Sequence, residues 1–246
     1  MSGKIRIGVG GWTFAPWRGV FYPPGLAQKR ELEFASRALT SIEINGTYYS
    51  TFKPASWQKW RDETPDDFVF AVKGSRFVTN RKILASTAQS LGVFMAQGLT
   101  ELGKKLGPIN WQFAATKKFE PDDFAAFLAL LPKEKDGLGF RHAVEVRHSS
   151  FATPAFYDLA AKHGVAIVYA KGEDFPEIDQ PTAGFTYARL MMTRENLKTG
   201  VTEPDLDRLA RQLRAWAKRG DVFAYFISGA KDRNPAAAQA LIRKLS

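Results

Sequence analysis

The sequence predicts an α/β protein of the TIM-type (β/α)8 barrel class, a single domain over residues 1–246, on three observations. Eight short apolar runs alternate with segments of helical period, the pattern of a parallel sheet wrapped by helices. The chain has 246 residues, and a barrel of this class uses about 250. Five of the runs carry polar residues at alternate positions of their later halves, which suits strands whose inner face looks into a barrel mouth. A doubly wound open sheet is the rival arrangement.

Composition supports one globular body: 45% of the residues are hydrophobic and 24% charged, enough for a sizeable core. The absence of cysteine excludes disulfides, thiolate metal sites and Cys nucleophiles. The opening MSGKIRIGVGG lacks the apolar stretch of a signal peptide. No window reaches the roughly 18 apolar residues of a membrane span. A cytoplasmic protein with no membrane partner is the expectation.

In chain order, KIRIGVGGW is the first strand and LEFASRAL the first helix. TSIEINGTYY is the second strand, followed by a helix at SWQKWRDE that Thr64-Pro65 ends. DFVFAVKG is the third strand, and STAQSLGVFMAQGLTELGKKLG a long helix or helix pair. PINWQFAA is the fourth strand; EPDDFAAFLALLP is a helix with Pro121 in its first turn. RHAVEVRHSS is the fifth strand, then a helix with Thr153 as N-cap, Pro154 at N1 and Gly164 past its end. VAIVYAKG is the sixth strand, with the weakest signal for a helix after it. GFTYARLMM is the seventh; in DRLARQLRAWAKRG after it, Leu209, Leu213 and Trp216 continue a core stripe from Leu206. Arg208, Arg211, Arg214 and Lys218 fall on the other, solvated face. DVFAYFISG is the eighth strand, and Asn234-Pro235 opens the last helix.

Strands of a parallel barrel are buried on both faces, so their polar residues need a reason. Glu43 and Asn45 share a face opposite Ile42 and Ile44, and Lys73 opposes Val72. Asn110 and Gln112 oppose Trp111 and Phe113; Glu145 and Arg147 oppose Val144 and Val146; Tyr187 and Arg189 oppose Ala188 and Leu190. One assignment satisfies all five strands: apolar residues pack on the helices, and polar ones converge inside at the C-terminal rim, where barrel enzymes keep their chemistry. Glu43, Lys73 and Glu145 are the candidate catalytic groups, as acid, base or amine nucleophile. Asn45, Gln112, Arg147 and Arg189 are the candidate binding groups, with Arg76 and His148 as further positive charges nearby. A buried ion network kept for shape alone is the alternative.

GGWTFAPWRGVFYP, after the first strand, holds too many aromatics for a plain loop. Most suit a satellite core under a folded loop, while Trp12, next to the strand end, is a candidate wall of the site. Ser228, Gly229, Lys231 and the Asn234-Pro235 helix start suit either a phosphate site or a simple helix cap. The three histidines have no metal-ligand spacing, and neither a metal nor a cofactor is expected.

GWTFAPWRGVFYP, SIEINGTYY, WQKWRDETPDDFVFAVKGSRFVT and VEVRHSSF together resemble the YecE-like family, domain of unknown function 72. The resemblance implies a TIM-type barrel and no established reaction. It also implies that Trp12, Glu43, Asn45, Lys73, Gln112, Glu145, Arg147 and Arg189 occupy motif positions. The chain departs from the family pattern at Phe113-Ala114-Ala115, at Leu190-Met191-Met192, at Ile227-Ser228 and at Asn80.

Three functions follow. Two carboxylates among three or more cations suit a small anionic partner, a phosphate or carboxylate, bound or acted on by a hydrolase or lyase using acid/base chemistry. The net charge of +10 and the rim aromatics suit a nucleic-acid-binding protein or nuclease. The departures from the family pattern suit a non-catalytic barrel that binds a ligand or partner.

Overall fold

The computed structural model describes residues 2–172 and 175–246. Its parallel strands are β1 (Ile5–Gly10), β2 (Ser41–Ile44), β3 (Val69–Lys73), β4 (Leu106–Gln112) and β5 (His142–Glu145). They continue with β6, interrupted at Val168 into Ala166–Ile167 and Tyr169–Lys171, then β7 (Phe185–Leu190) and β8 (Asp221–Phe226). Neighbours pair in sequence order, and β1 pairs β8.

The interruption in β6 closes the sheet. Its first half pairs β5 through Ala143–Ala166 and Val144–Ile167, and its second half pairs β7 through Ala188–Tyr169 and Leu190–Lys171. The Val168 N–H at the junction still donates to Val144 O at 3.0 Å. β6 therefore has partners on both sides and the sheet of the described residues is nearly closed, which decides against the open sheet.

The helices are α1 (Glu31–Ala38), α2 (Pro54–Asp62), α3 (Arg76–Thr79) and α4 (Ala88–Met95). After them come α5 (Pro121–Leu130), α6 (Pro154–Lys162), α7 (Glu203–Ala217) and α8 (Asn234–Leu245). Their starts follow local chemistry. Thr153 accepts from Phe156 N to cap α6, and Thr202 accepts from Asp205 N to cap α7. Proline occupies the first turn of α2, α5, α6, α7 and α8. On α7, Leu206, Leu209, Leu213 and Trp216 are buried while Arg208, Arg211, Arg214 and Lys218 are exposed.

The core has two parts. Ile42, Phe70, Val72, Trp111, Val144 and Leu190 join the helices in the outer one. Val69, Ala71, Ala143, Val168, Phe185, Tyr187, Phe223 and Tyr225 fill the inside of the barrel. This is the predicted division, residue by residue, on all five strands with alternating polarity.

Three features differ from the sequence expectation, the first being the short helix α3, which lies where no element is expected. The fifth strand ends at Glu145, so Arg147 lies two residues beyond the ladder. A small antiparallel hairpin, Glu134–Lys135 with Leu138–Gly139, precedes β5. Its turn residues Asp136 and Gly137 both have positive φ, at 52° and 75°, the Asp-Gly chemistry of a tight hairpin. No helix of the described residues is long and apolar enough to cross a membrane.

Glycine lets β1 approach β2. A Cβ on Gly8 would lie 1.8 Å from the Ser41 carbonyl oxygen, whereas one on Gly92, exposed within α4, meets nothing within 4 Å. Gly8→Ala is expected to destabilise by about 2–3 kcal/mol, and Gly92→Ala to stabilise by about 0.5–1 kcal/mol. Urea denaturation of both variants checks this; a Gly8→Ala midpoint equal to the parent's would contradict the close strand contact.

Candidate functional site

Polar side chains enter the barrel mouth at two depths. The lower set comes from Glu43 on β2, Asn110 on β4, Glu145 on β5, and Tyr187 and Arg189 on β7, all buried. Arg189 lies between the two carboxylates, donating from Nη1 to Glu145 Oε2 at 2.6 Å and from Nη2 to Glu43 Oε1 at 3.3 Å. Tyr187 OH donates to Glu43 Oε2 at 2.5 Å. Asn110 Nδ2 lies 3.4 Å from Glu43 Oε2 and 3.3 Å from Glu145 Oε2. Gln112 Nε2 donates to Glu145 Oε1 at 2.7 Å, and Arg147 adds Nε at 2.9 Å and Nη2 at 2.7 Å to the same oxygen.

These contacts set the proton affinities. Burial alone would raise the Glu145 carboxyl, but Arg189 and then Arg147 outweigh it and hold the group at about 2. Burial disfavours charge on Arg189 too, and Glu145 and Glu43 reverse the effect, raising its pKa. Burial, with Glu43 beside it, pushes the Tyr187 hydroxyl well above its ordinary value.

Above this floor lies a cavity of about 330 Å³. Lys73, Gln112, Arg147 and Arg189 line it, with Gly10, Asn45, Tyr49, Ile227, Ser228, Lys231 and Asn234. The lining holds four cationic side chains and, among the described residues, no carboxylate. Lys73 Nζ sits 4.7 Å from the Tyr48 ring centroid. Burial lowers its pKa to about 8; Arg189 pushes the same way, while Glu43 and Glu145 pull it back up. Among the described residues, the enclosed Asn45 Oδ1 and Arg189 Nε have no hydrogen-bond partner.

The loop after β8 completes the wall. Ser228 and Gly229 both adopt positive φ, at 58° and 56°, and turn the chain into the start of α8. Asn234 Nδ2 donates to Ser228 O at 3.2 Å, and Asn234 Oδ1 accepts from Thr193 at 2.7 Å. The segment thus has its own cap and also faces the cavity.

The structure brings Lys73, Gln112, Arg147, Arg189 and Asn45 to the cavity surface, and places Glu43 and Glu145 beneath it. The two carboxylates are fully buried and bonded to protein groups. Trp12 is not among the lining residues. Its ring packs edge-on to Trp60 of α2 at 5.3 Å and near the outward Phe70 at 6.3 Å, inside the α-layer. The neighbouring loop aromatics join the outer core rather than form a satellite of it: Trp17 and Tyr22 are buried in that core, and Phe14 and Phe21 pack against it. His148 Nδ1 caps its own turn, contacting Ser150 Oγ at 2.9 Å and accepting from Ser150 N at 3.1 Å. Asn110 and Tyr187 tie the floor together; their signal is a place two residues before Gln112 and Arg189 on the same inner face.

Among the described residues no group of three or more potential metal ligands forms. A larger groove of about 950 Å³ runs between the loops after β3 and β4, beside Asn80, Lys82 and Lys117. It takes in none of the interior polar groups, and Lys117 is already held by Asp123 at 2.8 Å.

The family model described as "Protein of unknown function DUF72" matches residues 6–246. The chain is 30% identical over 150 residues to the UPF0759 protein YecE of Escherichia coli (strain K12), covering 60% of this chain and 50% of that protein. It is 24% identical over 185 residues to the UPF0759 protein YunF of Bacillus subtilis (strain 168), covering 73% of this chain and 62% of that protein. The matches thus span half of YecE and less than two thirds of YunF. The crystal structure of a DUF72 family protein, TM1631 from Thermotoga maritima MSB8, shares the fold with a TM-score of 0.77 at 22% identity over 98% of each chain.

Removing one carboxylate tests the floor. Glu145→Gln leaves the buried Arg189 with Glu43 alone and the half-buried Arg147 without its carboxylate, and is expected to cost about 3 kcal/mol at neutral pH. The folded carboxyl titrates at about 2 against 4.5 for the ordinary group, so the unfolded chain binds the proton first as pH falls. Its stabilisation is complete above about 4.5 and drains away between about 4.5 and about 2. Denaturation across that range should show the acid slope in the parent and a shallower one in Glu145→Gln.

Proposed function

The chain belongs to the DUF72 family of proteins of unknown function, and within it we propose that the mouth of this barrel is a binding site for a small anion, a phosphate or carboxylate. The observation that carries this is the sorting of charge by depth: cations line the cavity while both carboxylates stay in the floor. Glu43 and Glu145 balance Arg189 and Arg147, so the excess positive charge of the lining is that of Lys73 and Lys231, and it leaves positive potential where a ligand would sit.

Each group has a part in this reading. Arg147 spends Nε and Nη2 on Glu145, leaving Nη1 for an oxygen of the ligand. Asn45, Gln112 and Lys231 supply further polar contacts around the anion. Glu43 and Glu145 are positioning residues that hold Arg189 and Arg147 in place. If the bound molecule reacts, Lys73 is the proton carrier or amine nucleophile, because its pKa of about 8 lies near the working range of a general acid or base.

Calorimetric titration with inorganic phosphate and with small carboxylates tests the site. Lys73→Met keeps the aliphatic stem and removes the charge; phosphate affinity is expected to fall about tenfold or more, the scale of a charge-assisted hydrogen bond. In the parent, affinity should decline as pH rises through about 8 and the ammonium loses its proton; Lys73→Met should lack that decline. Absence of binding to any of these anions would remove the reading. Salt-sensitive binding to single-stranded oligonucleotides alone would replace it with a nucleic-acid interface.

A further inference from the structure

We infer that the anion is the phosphate of a mononucleotide, whose base stacks on a platform of Tyr49, Arg76 and Phe77 at the cavity mouth. The inference rests on the phosphate reading of the cavity and adds what the anion is attached to. Its starting point is a pair of exposed aromatics that the fold does not use: Tyr49 is 61% exposed and Phe77 52%. They are joined by the Arg76 guanidinium, which lies 5.5 Å from the Tyr49 ring centroid and 5.3 Å from that of Phe77. Two rings bridged by a flat cation make a surface that suits a flat, polarisable ring.

Tyr49 belongs both to this platform and to the cavity lining. A run of contacts links the anion site to the rim. Lys73 Nζ lies over Tyr48, and Tyr48 meets Tyr49 edge-on at 5.0 Å. Asn80 Nδ2 reaches the Tyr48 hydroxyl at 3.3 Å. The anion site and the stacking surface are therefore held in one frame, with Tyr49 common to both. The cavity of about 330 Å³ is far larger than one tetrahedral anion, for a water occupies about 30 Å³ in the liquid. Its neutral polar groups, Asn45, Gln112 and Ser228, suit sugar hydroxyls between phosphate and base.

The test is calorimetric titration of the full chain with adenosine 5′-monophosphate, ribose 5-phosphate and inorganic phosphate. The nucleotide is expected to bind at least about tenfold more tightly than ribose 5-phosphate, the worth of one stacked base. That ratio should fall close to one in Tyr49→Ala and in Phe77→Ala, and persist in Tyr49→Phe, which keeps the ring. A nucleotide no tighter than ribose 5-phosphate, or a preference that survives both alanine variants, would overturn the inference and leave the phosphate site standing. Failure of all three compounds to bind would remove the phosphate site and the inference with it. An oligonucleotide without a terminal phosphate that binds as tightly as the nucleotide would overturn it in favour of backbone recognition.

Discussion

Arg189 held between Glu43 and Glu145 is the contact on which the rest of the mouth depends. Three charges out of water are costly, and such groups often do no better for stability than apolar replacements of the same shape. Their return is positional. Arg189 meets one carboxylate with each terminal nitrogen, which fixes the plane of its guanidinium. Glu145, oriented in this way, uses its other oxygen to seat Arg147 and Gln112. Tyr187 and Asn110 occupy remaining positions on Glu43. The carboxylates are thus inner struts, and the surface they support is cationic.

The barrel makes this sorting by depth possible. Successive inward residues of a strand are two positions apart, about 6.6 Å along its axis. β2 places Glu43 in the floor and Asn45 at the wall; β4 does the same with Asn110 and Gln112, and β5 with Glu145 and Arg147. Arg189 belongs to both levels because its side chain is long enough to pair below and line the cavity above.

The same geometry explains what could be read from residues alone. Which face each side chain takes follows from alternation, since Ile42, Val72, Trp111, Val144 and Leu190 could only pack outward if the sheet closed. Depth does not follow, because a period of two says nothing about where the solvent begins. Glu43 and Arg147 therefore look equivalent in sequence, although one is fully enclosed and the other reaches the cavity. Trp12 shows a related limit: nearness to a strand end does not decide which side of the rim a ring falls on, and its ring packs near Trp60 and Phe70. The hairpin at Asp136-Gly137 was present as turn chemistry, but a two-residue strand is too short to show a period.

Ile227-Ser228, one of the departures from the family pattern, lies in the cavity wall itself. Ile227 is on the inner face of the barrel with Phe223 and Tyr225, so β8 brings an apolar side chain to the mouth, beside the polar Ser228, Lys231 and Asn234 of the segment that follows. An apolar wall supplies no hydrogen bonds to the cations opposite and lowers the local dielectric, and both effects strengthen their pull on an anion. The same surroundings disfavour the charged form of Lys73, whose pKa is lowered first by burial. Ile227 therefore shapes the balance of the site from the β8 side. The Arg189 guanidinium, its pKa raised by Glu145 and Glu43, stays charged throughout, while Lys73 is a lining cation whose charge depends on pH near neutrality and on what is bound.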